Sequence, residues 1–306
     1  MADSLGNRKM ALRFSPKAAF SFSKLVKLNL SALVLLSTAG GFAMAPAGGP
    51  LAATLLGTSM CIASANTFNQ WIEHSYDSQM ARTRVRPLAV HSVSQARVFL
   101  IGAGLAAGGA AVLYTVNPIT CFLGTSNILL YALVYTPMKR TSIANTWVGA
   151  VVGAIPPLMG WTACTLLNLG TASIDPGALV MASLLFAWQF PHFNALAYNL
   201  RQDYSKAGYR MMAVTDTELN ARVSLRYSLA MFPISLAACM LHLTSPWFML
   251  VSAPIHGWMA FRAYEFYKES NSCNARKLFF ASLWHLPAAI ALMIVMKDRR
   301  PASVVG

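Results

Sequence analysis

Residues 69–88 read NQWIEHSYDSQMARTRVRPL. Asn69, Glu73 and Asp77 stand four residues apart at the end of a long apolar run, and Arg82, Arg84 and Arg86 follow. Steps of four place the three oxygen-bearing side chains on nearly one face of a helix. The chain has only ten acidic residues in all, and two carboxylates at i,i+4 repel by a few tenths of a kcal/mol. Something positive is expected to offset them. A divalent cation carrying a diphosphate, clamped by the arginines, suits this arrangement. The alternative is a solvated membrane-edge helix with ordinary surface charges.

Working outward, the composition says which kind of helix this is. Hydrophobic residues make up 56% of the 306-residue chain and charged residues 11%, too apolar for a soluble globular domain. About 20 apolar residues span a bilayer as a helix. Nine candidate segments fall at 28–46, 51–72, 98–116, 119–135, 145–166, 176–198, 225–243, 247–266 and 277–296. None shows the strict alternation of a membrane barrel. The expectation is an all-α polytopic membrane protein: a basic tail over 1–27, a membrane domain over 28–296 and a short tail over 297–306.

The 24 Lys and Arg residues cluster before residue 28, in 82–97, at 139–140, in 201–226, in 262–277 and after 296. The turns near 47–50, 117–118, 167–175 and 244–246 hold none. Alternate loops are therefore basic, which places the N-terminus on the cytoplasmic or matrix side. Lys297, Arg299 and Arg300 conflict with that rule. The net charge of +14 thus reflects topology and attraction to anionic lipid or phosphate, and no nucleic-acid partner is expected. Cys61, Cys121, Cys164, Cys239 and Cys273 contain no CxxC pair and predict neither disulfide nor zinc site. In the basic, serine-bearing N-terminus, Phe14, Ala18, Phe22 and Leu25 could form a stripe like part of a mitochondrial presequence; a plain basic tail is the other reading.

A second polar cluster lies on the same side by charge. In WQFPHFNALAYNLRQDYSKAGYR, residues 188–210, the intervals of seven and four put His192, Asn199 and Asp203 on one helical face, and Tyr204, Lys206, Tyr209 and Arg210 follow. Lys139 and Arg140 stand between two further spans, either as topology signals or as diphosphate contacts. Beyond them Gly149, Gly153, Pro156 and Pro157 would thin and bend the next helix, with close helix packing as the glycines' simplest role. Phe68, Trp71, Trp147 and Phe186 are candidate walls for an apolar ligand. His74, His91, His242, His256 and His285 are dispersed and suggest no chemistry.

Three strings together carry a resemblance: Asn69-x3-Glu73-x3-Asp77-x2-Met80-x-Arg82-Thr83-x2-Arg86-Pro87-Leu88, then Tyr135-Thr136-Pro137-x-Lys139-Arg140-Thr141, then Trp188-Gln189-x-Pro191-His192-Phe193 with Asp203-Tyr204. In order and spacing over roughly 28–296 they resemble the protoheme IX farnesyltransferases of the UbiA-type intramembrane prenyltransferases. Two places depart from the pattern. His91 and Gln95 stand where a glycine- and proline-bearing turn is expected, and Asn199 stands where sibling enzymes carry Asp. The string PHFNALAYNLRQDY is similar to eukaryotic versions.

The resemblance implies a nine-helix UbiA-type bundle that transfers farnesyl from farnesyl diphosphate to a vinyl group of heme b, giving heme O. It implies Mg2+ at Asn69, Asp77 and Asp203, with Glu73 beside them. Arg82, Arg86, Lys139, Arg140, Asn199 and Tyr204 would contact substrate. His192 would be a packing residue, an axial iron ligand or a propionate contact. The setting implied is the mitochondrial inner membrane, or a bacterial plasma membrane, with heme A synthase downstream. Two other readings stay open: a sibling that prenylates an aromatic or quinone precursor, and a non-enzymatic heme carrier.

Overall fold

The computed structural model describes residues 22–164 and 174–298. The presequence-like stripe before residue 22, most of the 167–175 turn, and Arg299 and Arg300 lie outside the described residues. Helix dominates what is described. A short helix α1 (Phe22–Val26) precedes α2 (Leu28–Met44), α3 (Leu51–Asp77) and α4 (Gln95–Val116). Then come α5 (Pro118–Leu129), a π-helical stretch Leu130–Tyr135 and α6 (Thr136–Met138), followed by α7 (Asn145–Thr162) and α8 (Pro176–Asn199). Short helices α9 (Arg201–Lys206) and α10 (Met212–Thr215) lead to α11 (Thr217–Leu229), α12 (Met231–Met240), α13 (Phe248–Lys268) and α14 (Ser272–Val295). Taking α5–α6 and α11–α12 as continuous units, nine long helical segments are described. Six of them are long and apolar enough to cross a membrane: α3, α4, α5–α6, α8, α11–α12 and α14.

Local chemistry sets the ends. Ser94, Asn117, Asp175, Asp216 and Asn271 each accept a bond from the backbone N–H three residues on, capping α4, α5, α8, α11 and α14. Pro118 and Pro176 occupy first turns, where the missing N–H costs nothing. Just before Pro137, the hydroxyl of Thr136 donates to the Tyr131 carbonyl at 2.8 Å, within a π-helical turn of the kind that marks functional sites.

Helices α2 and α7 cross at contact distance. A Cβ on Gly160 would lie 1.9 Å from the Thr38 carbonyl oxygen, and one on Gly41 would lie 2.0 Å from that of Pro157. These are backbone atoms that cannot step aside, so small residues are compulsory here. Gly160→Val is expected to destabilise the bundle by about 1–3 kcal/mol or more. A lowered unfolding temperature in detergent checks it; an unchanged one contradicts the crossing.

The tail conflict with the charge rule has a packing answer. Lys297 donates to the carbonyls of Ala43 and Ala45 at 2.9 and 2.6 Å, at the C-terminal end of α2 where a cation is favoured. The turn after Leu88 keeps a left-handed residue where glycine was expected: His91 has φ 54°, a conformation histidine tolerates better than most side chains. His256 and His285 are not dispersed. They bond to each other at 2.9 Å, and Ser235 bonds His256 at 2.7 Å.

Candidate active site

Helix α3 presents Asn69, Glu73 and Asp77 along one face, all buried. They look into a cavity of about 330 Å3. Each is met by a cation of the protein. Arg86 donates to both oxygens of Asp77 at 2.8 and 2.6 Å. Lys139 donates to Glu73 at 2.9 Å, and Lys27 to the Asn69 carbonyl oxygen at 2.6 Å. Asn69 also donates to the Thr136 hydroxyl at 3.0 Å. The repulsion read from the sequence is thus offset by Arg86 and Lys139. The loop after α3 is wound for this purpose: Thr83 donates to the Asp77 carbonyl at 2.9 Å, and the Thr83 carbonyl accepts from the Arg86 N–H, bending the chain back over α3.

Lys27 was read from sequence as part of a tail. Residues 22–26 instead form α1, held on α3 by Gln70 and Asn66 donating to the carbonyls of Lys24, Leu25 and Val26. Lys27 then takes a left-handed conformation, φ 53°, and extends its ammonium into the cavity. Burial, and then Arg86 and Lys139, hold its pKa well below that of a free lysine. For Lys139 burial works in the same direction, yet the charge and hydrogen bond of Glu73 outweigh it and the net shift is upward. Burial and then Glu73 and Asp77 push the Tyr209 phenol up, so Tyr209 stays a neutral donor.

Of the other residues singled out in the sequence, Arg82, His192 and Tyr204 line the cavity. Arg140 does not; it is exposed, lies over the Tyr76 ring at 4.2 Å and donates to its hydroxyl at 2.5 Å. The shared face of His192, Asn199 and Asp203 is corrected by a break. Helix α8 ends at Asn199, Leu200 leaves helical geometry at φ −102° and ψ 7°, and Asp203 belongs to α9. Asn199 is exposed, with its amide bonded back to the Ala195 carbonyl at 3.2 Å. Asp203 is half-buried outside the cavity lining. Its loop does cover the site: the Arg210 N–H donates to the Lys139 carbonyl at 2.8 Å, and the Tyr209 ring meets Tyr76 edge-on.

The cavity's walls also differ from the expected ones. Phe68 and Trp71 pack on Phe99, while Trp147 and Phe186 pack around Phe190 and Tyr227. The aromatic lining comes from Tyr131, Tyr135, Trp188, Phe193, Tyr204 and Tyr209. One buried polar atom of the lining, Asn127 Oδ1, has no hydrogen-bond partner, which suits a polar ligand. Among the described residues no three His, Cys, Asp or Glu side chains gather into a metal cage. Hard oxygen donors with surplus cations fit magnesium held through one or two carboxylates and shared with phosphate.

Residues 33–286 match the UbiA prenyltransferase family. The chain belongs to that family. Among curated relatives of this UbiA-family chain, the human mitochondrial protoheme IX farnesyltransferase is 46% identical over 269 residues, 86% of this chain and 58% of the relative. The Yarrowia lipolytica protein of the same name is 46% identical over 258 residues, 79% of this chain and 54% of the relative. The chain therefore spans little more than half the length of these relatives. Solved structures share the fold. A digeranylgeranylglyceryl phosphate synthase superimposes with TM-score 0.73 at 12% identity, covering 90% of this chain and 96% of that one. A UbiA homologue of Archaeoglobus fulgidus bound to DMAPP and Mg2+ gives 0.63 at 15% identity, covering 90% and 99%.

Lys27→Met is expected to weaken binding of inorganic diphosphate about tenfold, since one buried hydrogen-bond donor facing the cavity is lost. Titration of the detergent-purified chain with the diphosphate checks this. Unchanged affinity would leave Lys27 a structural residue.

Proposed function

We propose that this chain transfers a farnesyl group from farnesyl diphosphate to a vinyl group of heme b, making heme O, as a multi-pass protein of the mitochondrial inner membrane. The observation that carries the reading is the pairing of Asn69, Glu73 and Asp77 with Lys27, Lys139 and Arg86, respectively, around an aromatic-lined cavity. Identity to proteins named protoheme IX farnesyltransferase supports the choice of acceptor.

Cations outnumber carboxylates in the cavity, so a diphosphate competes for Arg86 and Lys139 and frees Asp77 and Glu73. Asn69 and Asp77, with Asp203 from the covering loop, would then hold Mg2+, which neutralises charge on the leaving diphosphate. Arg82, Arg86, Lys139 and Lys27 would share that neutralisation, which counts most where charge develops; Tyr204 lines the same cavity, while Arg140 and Asn199 lie outside its lining. Aromatic rings such as Tyr131 and Tyr135 shield the allylic cation by their negative faces. The product suits a downstream heme A synthase.

Purified chain given heme b, farnesyl diphosphate and Mg2+ is expected to release diphosphate and form a farnesylated heme. Prenylation of hydroxybenzoate with no heme adduct would favour the sibling reading. Heme binding without magnesium-dependent diphosphate release would favour a carrier.

A further inference from the structure

The reaction above needs a step that the diphosphate cradle does not serve, the capture of water. Once the C1–O bond of farnesyl diphosphate breaks and diphosphate leaves with the electron pair, the vinyl group donates its π electrons to C1. A C–C bond forms and positive charge passes to the vinyl carbon next to the porphyrin. Water adds there, and a proton must leave the oxygen. We propose that His192 Nε2 takes that proton, an inference that rests on the proposed function.

The hydrogen-bond network assigns the tautomer. Ser282 has one hydroxyl hydrogen, which it donates to the Phe279 carbonyl at 2.6 Å. Its oxygen therefore accepts from His192 Nδ1, 2.9 Å away. With the proton fixed on Nδ1, Nε2 carries the free lone pair. The ring is also held by two stacked neighbours. Trp188 stacks on it with centroids 4.4 Å apart and Phe279 with centroids 4.9 Å apart, and Trp188 is itself pinned by donating to the Ser282 carbonyl at 2.8 Å. With Nδ1 engaged by Ser282 and two rings stacked on the imidazole, Nε2 is the ring nitrogen left for the cavity that His192 lines.

Other acceptors in the lining are committed. Glu73 and Asp77 belong to the diphosphate cradle, paired with Lys139 and Arg86, and in the proposed reaction Asp77 would pass to the metal. The remaining titratable lining groups are the basic side chains of Lys27 and Arg82, the phenols of Tyr131, Tyr135, Tyr204 and Tyr209, and the thiol of Cys61. Among the described residues of the lining, His192 is the one imidazole. After the transfer it is an imidazolium, and its proton returns to bulk water before the next turnover.

Removing the base leaves the cation the alternative of losing a carbon-bound proton, which gives an adduct lighter by one water. Wild-type chain, His192→Ala and His192→Gln are compared by mass spectrometry of the heme products, with the visible spectrum of bound heme recorded for each. The expected result is slower turnover and a shift of roughly tenfold or more toward the dehydrated adduct, with the bound-heme spectrum unaltered. Three results overturn the proposal: a wild-type product ratio in the variants, no adduct of either mass from a folded variant, or loss of an imidazole-ligated iron spectrum. Ser282→Ala, which keeps the imidazole but frees its tautomer, is expected to give both adducts; a wild-type ratio there also contradicts it. A wild-type chain that makes no heme adduct defeats the proposed function itself.

Discussion

Asp77→Asn is expected to lower turnover about a hundred- to a thousandfold while leaving folded protein in the membrane. Asp77 is almost fully buried and takes both its oxygens to one arginine group, Arg86 Nη1. The amide keeps the volume and one acceptor for Arg86, so packing survives. What disappears is the negative charge that, in the proposed reaction, would hold magnesium against the leaving diphosphate. Magnesium-dependent diphosphate release, read beside an unchanged size-exclusion profile, checks it. Wild-type turnover in Asp77→Asn would remove the metal from the α3 face. Asp203→Ala is expected to abolish turnover as well, its loop being tied to Lys139 through Arg210. Normal activity there would leave the metal on α3 alone.

Lys139→Met should damage stability and chemistry together. Glu73 and Lys139 are both largely buried, with side-chain exposures of 7% and 13%. Removing one member of such a pair strands the other charge at a cost of about 3–5 kcal/mol. Adding Glu73→Gln removes the stranded carboxylate, so the double variant is expected to regain most of the lost stability. It should not regain turnover, because the cation facing the diphosphate is still absent. Thermal unfolding in detergent and diphosphate release separate the two effects. A double variant with restored activity would make the pair structural.

The α3 half of the site was legible because helical spacing alone puts Asn69, Glu73 and Asp77 on one face, and no later residue interrupts that helix. The same arithmetic failed beyond residue 192, where it assumed a helix that breaks at Leu200. Lys27 was hidden for a different reason. A basic residue ahead of an apolar run reads as a topology signal, and only the left-handed turn at that residue brings its ammonium to Asn69. Lys297 misled in the opposite direction, its charge serving the end of α2. The aromatic walls could not be assigned because lipid and protein interior are equally apolar, so a membrane helix shows little difference between its faces. Trp71 and Trp188 look alike in the sequence; only packing places Trp188 against His192 in the cavity.

In the proposed reaction a prenyl cation made at the α3 cradle is delivered to heme. That delivery is tested most directly by the heme extracted from membranes in which this chain is expressed with heme b and farnesyl diphosphate supplied. The expected product is a hydroxylated farnesyl heme that appears with the wild-type chain and vanishes with Asp77→Asn. Unmodified heme b in both, from membranes where the chain is folded and abundant, would contradict the proposed reaction.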